Sequence, residues 1–75
     1  MPYIRIKAYP KDEATKRKVA EAVFKAFADN WGCAPSAISI SFEEVAPEQW
    51  EEQVVKRDMQ PLTDNMMVLN GEFKG

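Results

Sequence analysis

The chain has 75 residues, of which 45% are hydrophobic and 29% charged, with a net charge of −2 and a pI near 5.0. This composition excludes an intrinsically disordered chain, and the acidic balance excludes the concentrated basic surface of a nucleic-acid-binding module. With one cysteine and no histidine, the chain cannot form an intrachain disulfide, the usual zinc sites or a histidine-activated nucleophile. No apolar stretch is long enough to predict a membrane span or a signal peptide, so we expect a cytoplasmic protein.

Residues 3–9 alternate between two faces, which is the pattern of a half-buried β-strand. Ile4, Ile6 and Ala8 share the apolar face, and the residues between them are polar or aromatic. Pro10 ends the strand because it has no N–H to donate.

A helix is predicted after this strand. Asp12 can cap its N-terminus, and Gly32 and Pro35 stop it. Apolar residues follow at the helical period: Val19, Ala22, Val23, Ala26, Phe27 and Ala28. The sequence therefore predicts an amphipathic helix of about five turns.

A second alternating run, Ile38–Phe42, predicts a second strand. Strand, helix and strand in this order predict an α/β fold: a βαβ subunit with two parallel strands and a right-handed crossover helix. Two strands leave both sheet edges open, and a chain this short buries a small core. We therefore expect residues 1–75 to form one domain that dimerises, completing a four-stranded sheet.

The last third of the chain is less regular. Pro47 predicts the first turn of another helix, which Pro61 interrupts. Residues 62–75 contain the turn dipeptide Asn70-Gly71, and we expect a short helix or strand before it and a terminal strand after it.

Pro2 is the first candidate catalytic residue. Methionine aminopeptidases usually remove an initiator methionine that precedes a small residue such as proline, which would leave Pro2 with a free secondary amine. An ordinary α-amino group titrates at roughly 7.7–8.0, and desolvation or nearby cations lower the pKa of an amine. Such a nitrogen exchanges protons near neutral pH. The alternative is that Pro2 only opens the strand, where its missing N–H costs nothing.

The remaining candidates fit an anionic small-molecule substrate. Arg5, Lys7 and Lys11 are cations near the first strand, and Trp50 is a large aromatic residue after the second. A cation would hold a carboxylate beside the base, and Trp50 would exclude water or pack at a subunit interface. The adjacent acids Glu43-Glu44 face opposite sides of a strand, so they cannot act on one substrate together. Three glycines match no phosphate-binding spacing, and we expect no cofactor and no metal.

These features together resemble the 4-oxalocrotonate tautomerase family, over residues 2 to about 55. The matching segments are Pro2-Tyr3-Ile4-Arg5-Ile6-Lys7, the basic residue Lys11, Asp12-Glu13-Ala14-Thr15-Lys16, Ala34-Pro35, Ile38-Ser39-Ile40 and Glu44-Val45-Ala46-Pro47-Glu48-Gln49-Trp50.

The resemblance implies a role for each matching site residue. Pro2 would be the general base and acid that interconverts the enol and keto forms of a 2-oxo acid. Lys11 falls where the family has a carboxylate-binding arginine, so the charge is kept but the bidentate fork is lost. Ser39 falls where the family has a second arginine, which puts a dicarboxylate substrate in question. Trp50 falls on the aromatic residue of the site and resembles a small bacterial branch that is dimeric rather than hexameric and acts on phenylenolpyruvate-like enols.

The sequence thus predicts a tautomerase for an unsaturated or aryl 2-oxo acid, with Pro2 catalytic and with Lys11, Ser39 and Trp50 binding the substrate. Two alternatives stay open. A cationic Pro2 would suit a hydratase or dehalogenase acting on unsaturated acids, although no convincing water-activating carboxylate is present. A non-enzymatic oligomeric binding domain would use the apolar faces only for association.

Overall fold

We analysed a computed structural model of the chain that describes residues 1–74. The chain divides into two compact units, residues 1–45 and residues 46 onward, which we describe separately. Gly75, the last residue of the expected single domain, lies outside the described residues. That all 75 residues act as one domain therefore stays a prediction.

The first unit contains the predicted βαβ arrangement. Strand β1 (Tyr3–Ala8) pairs in parallel with strand β2 (Ser39–Glu44), and the register sets Tyr3 opposite Ser39 and Ile6 opposite Phe42. Strand β1 begins at Tyr3 as predicted and ends one residue earlier than expected, whereas β2 begins one residue later and ends two residues later. Differences of this size are usual at the ends of elements. The fold class predicted from the sequence is confirmed for the subunit.

Helix α1 (Glu13–Asn30) crosses between the two strands. Asp12 caps it as predicted, because its Oδ2 accepts from the Thr15 backbone N–H at 3.2 Å and its Oδ1 accepts from the Thr15 hydroxyl at 2.6 Å. The helix ends at Asn30 with Trp31 as its C-cap, and Gly32 follows with a φ of 82°, a conformation that glycine adopts without strain. A single 3-10 turn, Pro35–Ala37, then leads into β2.

The predicted apolar stripe of α1 is only partly covered by the rest of the chain. Lys16, Ala20, Val23 and Phe27 are half-buried on α1, whereas Val19, Ala22 and Ala26 are exposed. The side of the helix with the exposed residues borders β1, because Thr15 and Val19 line a cavity together with Ile6 and Ala8. A two-stranded sheet is too narrow to cover the whole stripe, so an apolar face remains open next to the edge of β1.

The second unit is helical and then forms a hairpin. A 3-10 turn (Pro47–Gln49) precedes a π-helix (Glu51–Met59), in which the Gln60 N–H donates to the Val55 carbonyl five residues earlier. The prediction that Pro61 interrupts the helix agrees with the structure, since the π-helix ends at Met59 and a separate 3-10 segment follows over Gln60–Asn65. Pro61 lies in the first turn of this segment, where a missing N–H costs no hydrogen bond.

The predicted turn at Asn70-Gly71 is confirmed. It joins two short antiparallel strands, β3 (Val68–Leu69) and β4 (Glu72–Phe73). Asn70 has a φ of 51° and Gly71 a φ of 82°, so both central residues occupy the left-handed region that a type I′ hairpin turn requires. Among the described residues, no helix has the length and apolar character needed to cross a bilayer.

The described chain has little buried apolar surface. Only Val45 and Val54 among its hydrophobic residues are buried, at 2% and 5% exposure. Large side chains such as Tyr3, Tyr9 and Trp31 remain at least half exposed. Because apolar burial is the main source of folding free energy, this core contributes little to the stability of the chain.

Candidate active site

Pro2 and Ser39 are brought together at the beginning of the sheet. The Ser39 backbone N–H donates to the Pro2 carbonyl at 3.1 Å, so the residue before β1 is held at the start of β2. Pro2 is half-buried, and Met1 before it is 99% exposed. The carbonyl of Pro2 is thus anchored, while the side of the residue that carries Met1 is open.

The sheet face on which Ser39 lies is polar, and its side chains pair with one another across the two strands. The Tyr3 hydroxyl and the Ser41 hydroxyl are 2.9 Å apart. An Arg5 guanidinium nitrogen donates to Glu43 Oε1 at 3.0 Å, across the two strands. Arg5 therefore has a carboxylate partner within its own subunit, and it is a weaker candidate than Lys11 for binding an anionic substrate.

Lys11 lies at the other end of the sheet, where Glu44 of β2 contacts both the loop before α1 and α1 itself. Glu44 Oε2 accepts from the Lys11 backbone N–H at 3.2 Å and lies 3.2 Å from Lys16 Nζ. The hydrogen bond from Lys11, followed by that from Lys16, lowers the pKa of Glu44 below its ordinary value. The bond to Glu44 raises the pKa of Lys16. One carboxylate thus ties the end of β2 to the loop before α1 and to the first turns of α1.

A cavity of about 260 Å³ opens at this end of the first unit. Its apolar lining comes from Ile6, Ala8, Val19 and Phe42. Lys11, Lys16 and Glu44 also line it, but its accessible surface is formed by apolar atoms. Small-molecule sites have mostly apolar walls, as this cavity does, and its volume suits a ligand smaller than most drugs.

Pro2 and Lys11 lie at opposite ends of β1 within one subunit. The strand has six residues, and a β-strand rises about 3.3 Å per residue, so its ends are roughly 20 Å apart. A single small 2-oxo acid cannot reach both residues of the same chain. The structure therefore joins Pro2 with Ser39 but separates both from Lys11.

Trp50 belongs to the second unit. It is half-buried, and its backbone N–H donates to the Pro47 carbonyl as the helical region begins. The sequence-derived role of Trp50 in a substrate pocket stays a prediction.

Sequence reasoning missed the roles of Glu44 and Lys16. It correctly separated Glu43 from Glu44, since Glu43 pairs with Arg5 on one face of β2 and Glu44 pairs with Lys16 on the other. The only signal for the Glu44 contacts is the alternation of strand faces, and this does not identify the partner. Within residues 1–74, no three His, Cys, Asp or Glu residues form a cluster that would hold a metal ion.

Comparisons with known proteins agree with this architecture. The sequence model of the family described as tautomerase enzymes matches residues 2–57. The chain is 29% identical over 68 residues to Tautomerase PptA of Pectobacterium atrosepticum, and 28% identical over 68 residues to Tautomerase PptA of Cronobacter sakazakii. Each alignment covers 88% of this chain and 90% of the relative.

The chain belongs to the tautomerase family, because the family match begins at Pro2 and extends over the βαβ unit and past Trp50. It is an enzyme of the isomerase class. The family expected from the sequence is confirmed, and so is the expected tautomerase activity at the level of the reaction class.

Proposed function

We propose that the protein interconverts the enol and keto forms of an aryl or unsaturated 2-oxo acid, using Pro2 as both base and acid. The observation that carries this proposal is the position of Pro2, whose carbonyl bonds to Ser39 while nothing encloses Met1. Removal of Met1 would expose a secondary amine on an anchored residue at the open end of the sheet. Anchoring limits the loss of conformational entropy when the base meets its substrate.

The proton would travel from oxygen to carbon through one nitrogen. The neutral Pro2 amine accepts the proton of the C2 enol hydroxyl, the electron pair of the broken O–H bond forms the C2=O bond, and the C2=C3 π pair moves to C3. The prolinium N–H then donates to C3, which completes the ketone and restores the amine. General acid–base catalysis of this kind contributes about a hundred- to ten-thousandfold to the rate.

Lys11 would bind the substrate carboxylate next to Pro2 of a second copy. Because the two residues lie at opposite ends of β1, an antiparallel pairing of β1 with β1 of a partner would bring Pro2 of each subunit toward the Lys11 end of the other. Val19 lines a cavity together with Ile6 and Ala8 of β1, and the exposed face formed by Val19, Ala22 and Ala26 would be covered by the helix of the second copy. We therefore propose a homodimer with a four-stranded sheet and two equivalent sites.

The polar face of the sheet favours a dimer over a hexamer. Tyr3, Arg5, Ser41 and Glu43 satisfy one another in pairs across the two strands. Burying this face in a larger assembly would remove a charged pair from water, which is costly unless the geometry is very good.

Ser39 and Trp50 would complete the substrate site. Ser39, whose backbone is hydrogen-bonded to Pro2, would supply a neutral hydroxyl donor, and Trp50 would contribute an apolar surface that excludes water. With Lys11 as the cation, this set suits a monocarboxylate with an aryl or other unsaturated side chain. The two relatives named Tautomerase PptA support a tautomerase reaction for this chain and add no substrate. The cytoplasmic location expected from the sequence stays a prediction.

The test combines intact mass with an activity assay. We expect the purified protein to have lost the mass of Met1 and to ketonise phenylenolpyruvate, while Pro2→Ala loses at least about a hundredfold in kcat with the dimer retained. Activity that survives in Pro2→Ala would contradict the role of Pro2. A processed protein that is inactive on phenylenolpyruvate and on 2-hydroxymuconate, but adds water to an unsaturated acid or dehalogenates it, would favour the hydratase or dehalogenase alternative. A protein inactive in all these assays would favour the binding domain.

A further inference from the structure

Two lysines line the cavity of the first unit, but only one of them carries an uncompensated charge. Lys16 Nζ lies 3.2 Å from Glu44 Oε2 and 3.5 Å from Glu13 Oε1, and its side chain is only 24% exposed. The Lys11 side chain forms no ion pair with any residue in 1–74. Lys16 is therefore neutralised in place, whereas the ammonium of Lys11 is available to an anion.

One carboxylate oxygen of Glu44 contacts both lysines. Oε2 pairs with the Lys16 side chain and also accepts from the Lys11 backbone N–H. The hydrogen bond fixes the path of the loop that carries Lys11, and the ion pair cancels the charge of Lys16. Removal of the Glu44 charge would leave Lys16 with only its longer contact to Glu13, at 3.5 Å, and would make the net charge of the residues that line the cavity more positive by one.

We propose that Glu44 is the residue that restricts this enzyme to substrates with a single carboxylate. The inference rests on the proposed function, in which Lys11 binds the carboxylate of a 2-oxo acid. A second carboxylate on the substrate would find Lys16 already paired with Glu44 and Glu13, so no free cation is left to bind it. The apolar walls formed by Ile6, Ala8, Val19 and Phe42 suit an aryl or alkyl group at that position.

The neutral Ser39 supports the same selectivity at the Pro2 end. Its backbone is bonded to Pro2, and its side chain carries no charge. Ser39 at one end of the sheet is neutral, and Lys16 at the other end is paired. Neither residue therefore gives the site a second free cation. A dicarboxylate would have to transfer one charged group from water to a site without a counter-ion, which is unfavourable.

The test uses a charge cycle on residues 16 and 44. For the processed enzyme, kcat/KM is measured with the monocarboxylate phenylenolpyruvate and with the dicarboxylate 2-hydroxymuconate. Glu44→Gln keeps an acceptor oxygen for the Lys11 N–H but leaves Lys16 with only its longer contact to Glu13. We therefore expect the ratio of dicarboxylate to monocarboxylate kcat/KM to rise about tenfold or more, the effect of one charged hydrogen bond.

Two further variants test the direction in which the ratio of kcat/KM values changes. Lys16→Gln leaves Glu44 without its ammonium partner, so we expect kcat/KM to fall for both acids and to fall further for the dicarboxylate. The double variant Lys16→Gln/Glu44→Gln is neutral at both positions, and we expect its ratio to return to within about threefold of the wild-type value, as coupled sites predict.

Asp29→Asn is the matched control, because it also removes one carboxylate from an ion pair on α1, that with Lys25 at 2.8 Å. Asp29 does not line the cavity, so we expect the ratio to be unchanged. A folded, dimeric Glu44→Gln with a ratio within about twofold of wild type would overturn the inference, since that is less than the effect of one hydrogen bond. If Glu44→Gln does not fold, Lys16→Gln decides in the same way, because an equal fall for both acids overturns the inference.

Failure of this inference is distinct from failure of the proposed function. A processed wild-type enzyme that acts on at least one enol, with a ratio that the charge cycle does not move, contradicts only the role of Glu44. A processed wild-type enzyme that acts on neither enol contradicts the proposed function itself.

Discussion

The Ser39 backbone N–H donates to the Pro2 carbonyl at 3.1 Å, which joins the start of β1 to the start of β2. The Lys11 backbone N–H makes the corresponding contact at the other end of the sheet, with Glu44. The proposed base and the proposed carboxylate-binding cation are thus fixed at opposite ends of one subunit. Any site that uses both must combine two chains.

Mixing two inactive variants tests this arrangement. Pro2→Ala and Lys11→Ala are each expected to have low kcat/KM with phenylenolpyruvate. When the two chains are refolded together, half of the dimers are mixed, and one of the two sites in a mixed dimer has both Pro2 and Lys11. We therefore expect the mixture to regain roughly a quarter of the wild-type rate, as the two-fold symmetry requires.

The control is each variant refolded alone, which should regain nothing. If Pro2 and Lys11 of the same chain formed one site, every site of a mixed dimer would carry one defect. A mixture that stays at the level of the separate variants, although mixed dimers are detected by mass, would contradict the shared site.

A lysine on the exposed apolar face of α1 should weaken the dimer. Ala22 lies near the middle of α1 and is exposed in the subunit. If two α1 helices pack against each other across a two-fold axis, Ala22→Lys buries a charge from each chain, and the dissociation constant measured by sedimentation equilibrium should rise at least about tenfold. Ala14→Lys, in the first turn of the same helix, is the matched control. An unchanged dissociation constant for Ala22→Lys would exclude this face from the interface.

The stability of the protein should fall at acid pH because of two carboxylates. Hydrogen bonds from the Thr15 hydroxyl and backbone N–H lower the pKa of Asp12 below its ordinary value of 3.8. The Lys11 N–H, followed by Lys16, lowers the pKa of Glu44 below 4.5. A carboxyl group with a lowered pKa binds fewer protons in the folded than in the unfolded state. Its contribution is therefore present above the ordinary pKa and is lost as the pH falls through the folded value.

Urea unfolding from pH 7 to pH 2 at one protein concentration measures this effect. We expect the free energy of unfolding of the wild type to decrease below about pH 4.5, and that of Glu44→Gln to decrease less steeply, because one of the two linked groups is gone. If the free energy of unfolding fell equally steeply with decreasing pH in both proteins, the lowered pKa of Glu44 would be contradicted.

Local signals in the sequence account for most of the fold of the first unit. Alternation predicts β1 and β2, the helical period predicts α1, and Asp12 is recognisable as its cap because the bonds it makes reach only three residues along the chain. The hairpin turn is predicted in the same way, since Asn70 and Gly71 tolerate the left-handed backbone. Sequence reasoning did not predict the π-helix or the 3-10 segment that carries the chain past Pro61, because helical periodicity alone does not distinguish i→i+4 from i→i+5 hydrogen bonds.

The sequence by itself determined the order of the elements, the candidate Pro2 and the membership of the family, because each depends on residues near one another or on a pattern along the chain. Only the tertiary structure decided which charges meet. The partners Lys11 and Glu44 are 33 positions apart, and Arg5 and Glu43 are 38 apart. Such contacts depend on strand register, and a shift of one residue would exchange the two faces of β2 and with them the partners of Glu43 and Glu44.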